Sequence, residues 1–255
     1  MKDMSDLVGL QEAKRLLEIV AAGGHSVLLL GALGSGRTAL AQRVPGILAP
    51  LASDLRADLH CSKDLYGAPF RAPHHTTSRR HLLGDSKNPS EVDLAKGGVL
   101  FLDEINEFHP ETVDEVYRLT YKTPLRPLII GAMHTCPCGL CHRVCNPPCT
   151  AAQKARHEDA RQRLSNIFDC TFDLAQCTPA TTSDKLETSA TIRERVIAAR
   201  EFGFKVVRPS TRFKIGARAY QFATTIANLA LSEDILPSHV EEALRITHTG
   251  QYEEP

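Results

Sequence analysis

Residues 28–40 read LLLGALGSGRTAL, and this stretch limits the folds open to the chain more than any other. A short, continuously apolar run, HSVLLLG (25–31), leads into it, as expected of a strand buried on both faces. A helical pattern, TALAQRVPGIL, leaves it, and Pro45 should stop or bend that helix. Between them, Gly31, Gly34 and Gly36 stand at the spacing of G-x-x-x-x-G-K-[ST]. Such a loop aims successive backbone N–H groups at phosphates from a helix N-terminus. Glycine lets the backbone come close and adopt positive φ. Gly34, Ser35 and Gly36 are the expected backbone donors, and Thr38 can offer its hydroxyl to Mg²⁺. One letter departs from the pattern: Arg37 stands where lysine is expected. Guanidinium is wider, planar and forked, so the exchange is not conservative. The expectation is that nucleotide still binds through the unchanged backbone cradle, while turnover is slow.

A loop of this kind needs a carboxylate on a neighbouring strand. GGVLFLDE (97–104) supplies it. Asp103 follows four apolar residues and would hold the metal through water, and Glu104 would orient the attacking water. The alternative is a glycine turn and an exposed acidic pair in an unrelated α/β fold. Apolar residues from Leu7 to Val20 recur at helical spacing and end at Gly23-Gly24. Pro110 suits the first turn of a helix running to about Leu119, and LIIGAM (128–133) is a third buried strand. Strand, loop, helix and strand again is an α/β signature, a parallel sheet between helices. The nucleotide-binding core is expected over 1–175. A polar linker follows over 176–187, and a small all-helical domain over 188–255. Helices are expected around Ile192–Ala199, over Phe213–Leu231, and from a capping box at Ser238 and Glu241.

Thirty basic residues balance thirty acidic ones, so any surface for nucleic acid must be local. No run reaches the length of a membrane span, and the charged N-terminus lacks a signal-peptide core. A cytoplasmic protein is expected, and its cysteines then read as thiols or metal ligands before disulfides. Five of the eight crowd into CPCGLCHRVCNPPC: Cys136, Cys138, Cys141, Cys145 and Cys149. They read either as reduced cysteines in a loop, slightly the favoured reading, or as a Zn²⁺ site closed by four thiolates. The spacing is not the paired C-x-x-C with a long spacer that marks a zinc module. His74 and His75 are expected on opposite faces of a strand. Arg71, Arg79 and Arg80 beside them are a weak nucleic-acid signal. Glu107, Glu111 and Glu115 read as a solvated helix face.

AAGGHSVLLLG, FRAPHHT, LAKGGVLFLDE and MHTCPCG together resemble the magnesium-chelatase-like AAA+ family. The resemblance is closest to its ComM-type group, bacterial ATPases implicated in DNA branch migration during natural transformation. It runs from Asp6 to about Arg245. It implies an AAA+ core, a helical lid and a hexameric ring, a homo-oligomer with ATP and Mg²⁺ at subunit interfaces.

Departures from the family pattern matter as much. Lysine is replaced by Arg37, and the sensor asparagine of AMNP by His134, with Thr135 after it. LSNIFD puts Ile167 at an arginine thought to act across the interface, and Asn166 at the preceding aspartate. Arg161 and Arg163 lie close enough in sequence to substitute for it. The lid's sensor arginine falls near Lys214, with Arg212 and Arg218 close by. Leu119–Leu128 is shorter than in the family and lacks a hairpin linked to substrate handling. A trans arginine is worth several orders of magnitude in phosphoryl transfer, so these losses imply weakened hydrolysis. Two functions follow: a motor-like ATPase that remodels DNA or protein, or a nucleotide-binding subunit that joins or regulates an assembly without turnover. A chelatase subunit follows from family relationship alone.

Overall fold

The computed structural model describes residues 2–50, 68–123, 125–139, 148–179, 186–205 and 213–248. The apolar runs form parallel strands: β1 (Val27–Gly31), β2 (Phe70–Arg71), β3 (Val99–Leu102), β4 (Leu128–His134) and β5 (Cys170–Asp173). They make one five-stranded sheet in the order β2-β3-β4-β1-β5. Side chains alternate across a strand, and the two cores show it. Val27, Leu29, Phe101 and Ile130 enter one apolar cluster, while Leu28, Leu30, Leu100 and Ile129 enter the other. Both faces are therefore covered, which explains why the strands read as unbroken apolar runs.

The first face packs on α1 (Gln11–Gly23), which ends at Gly24 with φ 67°, the left-handed cap that glycine tolerates. The same cluster takes in Ile192 and Val196 of α7 (Ser189–Lys205), Phe222 and Ile226 of α8 (Ala217–Leu229), and Val240 of α9 (Pro237–Thr247). The second face packs on α5 (Pro110–Lys122) through Val113 and Val116, and on α6 (Ala151–Ile167) through Leu164. Phe168, fully buried, fills the space over Gly131, where an added Cβ would lie 2.6 Å from its ring.

The loop helix is short: α2 spans Arg37–Ala41 and stops before Pro45, which lies in a 3₁₀ turn over Val44–Ile47. Two short helices, α3 (Arg79–Leu83) and α4 (Glu91–Leu94), lie between β2 and β3. The expected capping box at Ser238 is displaced. α9 begins at Pro237, and the Leu236 N–H donates to His239 Nδ1 at 3.2 Å. Proline already has the φ of a first helical residue, so Ser238 lies inside the first turn.

Candidate functional site

Parallel strands all point their carboxyl ends one way, and ligands of open α/β sheets bind there. Register decides what meets: Gly31 at the end of β1 pairs with His134 at the end of β4. Leu102, one residue before Asp103, pairs with Gly131. The phosphate-type loop, the acidic pair and His134 are thus brought to one place.

The loop has the backbone its sequence requires. Gly34 has φ 79° and Gly36 φ 101°. A Cβ on Gly31 would lie 2.3 Å from Ser35 Oγ, so Ser35 folds back over it. The Leu33 N–H donates to the Gly139 carbonyl at 3.1 Å, tying the loop to the turn after β4. Thr38 Oγ1 donates to Asp103 Oδ2 at 3.0 Å, and the Glu104 N–H donates to Asp103 Oδ1 at 3.1 Å. Glu104 holds φ 50°, a left-handed conformation uncommon outside glycine and frequent at functional sites.

Arg37 is only 7% exposed. Its Nη2 donates to His134 Nδ1 at 2.9 Å, and His134 Nε2 lies 3.4 Å from Glu104 Oε1. Burial pushes the Arg37 guanidinium down from its ordinary pKa, while the charges of Asp103 and Glu104 pull it back up. Two buried polar atoms of this loop have no hydrogen-bond partner among the described residues, Ser35 Oγ and Arg37 Nη1. Buried donors are nearly always satisfied. A polyphosphate has the acceptor oxygens such donors need, and Thr38 with Asp103 is the oxygen pair a hard divalent cation takes. The residues present therefore fit a nucleotide with Mg²⁺.

Beside Glu104 opens a recess of about 250 Å³, lined by Asn106, Glu107, His134, Cys136, Cys138 and His157. His157 was missed in the sequence because it sits on α6, a helix without an apolar stripe. Burial pushes its imidazole below the ordinary value, against a backbone hydrogen bond with His134. Cys136 Sγ lies 3.4 Å from Cys138 Sγ. Cys141, Cys145 and Arg212 lie outside the described residues. Among the described residues, no group of three His, Cys, Asp or Glu side chains is arranged to hold a metal ion.

Other expected residues fall elsewhere. Lys214 is exposed ahead of α8, and among the described residues no hydrogen bond joins it to the loop. Arg161 pairs with Glu158 and Arg163 with Asp114, so both candidates for the missing arginine already face carboxylates. Arg218 donates to the Asn166 carbonyl at 2.6 Å. His74 and His75 lie in a turn after the two-residue β2, not on a strand. Their rings sit 4.2 Å apart, which corrects the expectation of opposite faces. Arg71, Arg79 and Arg80 pair with Glu91, Glu115 and Asp85.

Comparison with known proteins points to a family. The family model described as "Magnesium chelatase, subunit ChlI" matches residues 3–186. The uncharacterized protein YifB of Escherichia coli K12 is 36% identical, over 80% of this chain and 46% of its own length. YifB of Salmonella typhimurium is 31% identical, over 95% of this chain and 60% of its own. The competence protein ComM of Haemophilus influenzae is also 31% identical, over 95% and 59%. The chain thus spans about half to three-fifths of the length of these relatives. With this match over most of its residues, and with the strand ends, loop and acidic pair arranged as above, the chain belongs to the magnesium-chelatase-like family, beside its ComM and YifB proteins.

Proposed function

We propose that this chain is an AAA+-type module that binds ATP with Mg²⁺ and hydrolyses it weakly. One observation carries the reading: the Thr38 hydroxyl bonds Asp103 beneath a loop whose buried Ser35 Oγ and Arg37 Nη1 have no partner among the described residues. Backbone N–H groups of Gly34, Ser35 and Gly36 would hold the phosphates of a nucleotide strand-fed from Gly31, and Thr38 and Asp103 the metal shell. Glu104 would orient water, and Lys214 would approach from the lid. ATP supplies the phosphoryl group when bound. The chain's own residues would position it and stabilise charge, which is most of what phosphoryl transfer asks of a protein.

Slow turnover is the natural reading of Arg37, whose Nη2 is already bonded to His134, and of Ile167 in place of a trans arginine. The second reading, a nucleotide-binding scaffold or regulatory subunit without turnover, is favoured by the same anchored guanidinium. DNA as the remodelled substrate and a hexameric ring rest on the resemblance to the ComM-type group alone. A chelatase role rests on the family's name alone. The deciding experiment is calorimetric titration with Mg²⁺-ATP followed by turnover, wild type beside Arg37→Lys. Binding with slow turnover supports the proposal, and ordinary turnover makes Arg37 a working variant. Failure to bind any nucleoside triphosphate would sink it.

A further inference from the structure

We infer that His134 is the positioning residue of the loop arginine, and that its single imidazole links Arg37 to Glu104. The inference rests on the reading of the loop as a nucleotide site and adds to it the group that sets where the loop's cation points.

The pairing follows from register. Because Gly31 and His134 are partners across β1 and β4, the last side chain of β4 lies beneath the loop. Arg37 Nη2 lies 2.9 Å from His134 Nδ1 and 3.5 Å from Nε2, and Nε2 also lies 3.4 Å from Glu104 Oε1. Arginine can only donate, so the ring nitrogen it bonds must accept, and Nδ1 is the nearer of the two. With Nδ1 as acceptor the ring proton sits on Nε2, the nitrogen 3.4 Å from Glu104 Oε1. A histidine's tautomer is set by the hydrogen bond its other nitrogen makes, and here the neighbours assign it.

The turn after β4 holds the ring in place. Gly139 has φ 69°, and a Cβ there would lie 3.1 Å from His134 Nδ1. The same glycine's carbonyl accepts the Leu33 N–H of the loop. One turn therefore fixes both the imidazole and the loop. Arg37 is buried with one arm anchored, while Nη1 has no partner among the described residues. A lysine ammonium is a compact point charge and would not span anchor and phosphate together. The cation and the water-orienting carboxylate are thus joined through one side chain, and changing either end shifts the other.

The test starts with the nucleotide-free full chain. Imidazole ¹⁵N resonances, with His134 assigned by its loss in His134→Phe, should show the Nε2–H tautomer. Arg37→Ala should release it to a mixture. The Nδ1–H tautomer, or a spectrum that ignores Arg37→Ala, would overturn the inference. His134→Phe keeps the ring's bulk against Gly139 and removes both nitrogens, so it also separates positioning from packing. Mg²⁺-ATP affinity is then measured for Arg37→Lys, His134→Phe and the double variant. Residues in one network couple, so the double should depart from the product of the singles by about threefold or more. A smaller departure counts against the link. If the wild type binds no ATP, the nucleotide reading fails, while the imidazole spectrum still decides the pairing.

Discussion

Gly36 carries two constraints at once. Its φ of 101° suits only glycine, and a Cβ there would meet Leu10 Cδ1 at 3.1 Å. Gly36→Ala should cost about 1–3 kcal/mol in backbone strain and weaken ATP binding about tenfold or more, read by thermal melting and calorimetry. His25 makes a different prediction. It is buried, stacks on Phe222 at 4.1 Å and bonds Thr225 Oγ1 at 2.9 Å, joining the start of β1 to α8. Burial pushes its imidazole from 6.5 down to about 4. As pH falls from 6.5 to 4 the unfolded chain takes a proton that the folded chain refuses, so stability is lost across that window. The shift corresponds to about 3 kcal/mol. Urea midpoints of wild type and His25→Gln should diverge over this range, and parallel pH profiles would contradict the assignment. Zinc is decided in the same way. Metal analysis under reducing conditions should find none, and stoichiometric zinc lost in Cys138→Ser would establish it.

Helix α1 is held to the C-terminal helices by charge as well as apolar contact. Glu18, 3% exposed, faces Arg15 at 2.9 Å and Arg195 at 2.5 Å, and Arg15 also reaches Glu242. Removing Glu18 takes one carboxylate from two arginines that are each more than a third exposed and that keep a second, Glu242 for Arg15 and Glu187 for Arg195, so part of the loss is recovered. Glu18→Ala should cost about 1–3 kcal/mol in urea unfolding, and Glu242→Ala about 1 kcal/mol or less. The elements legible in the sequence were those with a strong period or a fixed motif. The apolar runs HSVLLLG, GGVLFLDE and LIIGAM read as strands because both their faces are covered, and Gly24 marked the end of α1. α6 went unread because AAQKARHEDARQRLSNI buries only Leu164 and so carries no stripe. β5 went unread because CTFD is short and only Cys170 is fully buried. Of the site, the loop and acidic pair were legible by spacing. The Arg37–His134 contact was not, since 97 residues separate partners that only strand register brings together.

At the scale of the molecule, the three arginines beside the histidine pair give no basic patch. Each is paired to a carboxylate. Binding of DNA through this face should therefore show a shallow salt slope, and a steep one would place the phosphate contacts elsewhere. A ring would appear as a shift to larger size with Mg²⁺-ATP in size-exclusion chromatography, and a monomer in every nucleotide state would argue against it. The apolar cluster that runs from α1 and β1 into Ile192, Phe222, Ile226 and Val240 has a consequence for how the chain can be cut. Neither the sheet nor the C-terminal helices own that core outright. Two separately produced fragments, 1–179 and 186–255, should each be poorly ordered alone and should reassemble on mixing, as a split protein whose halves complement one another.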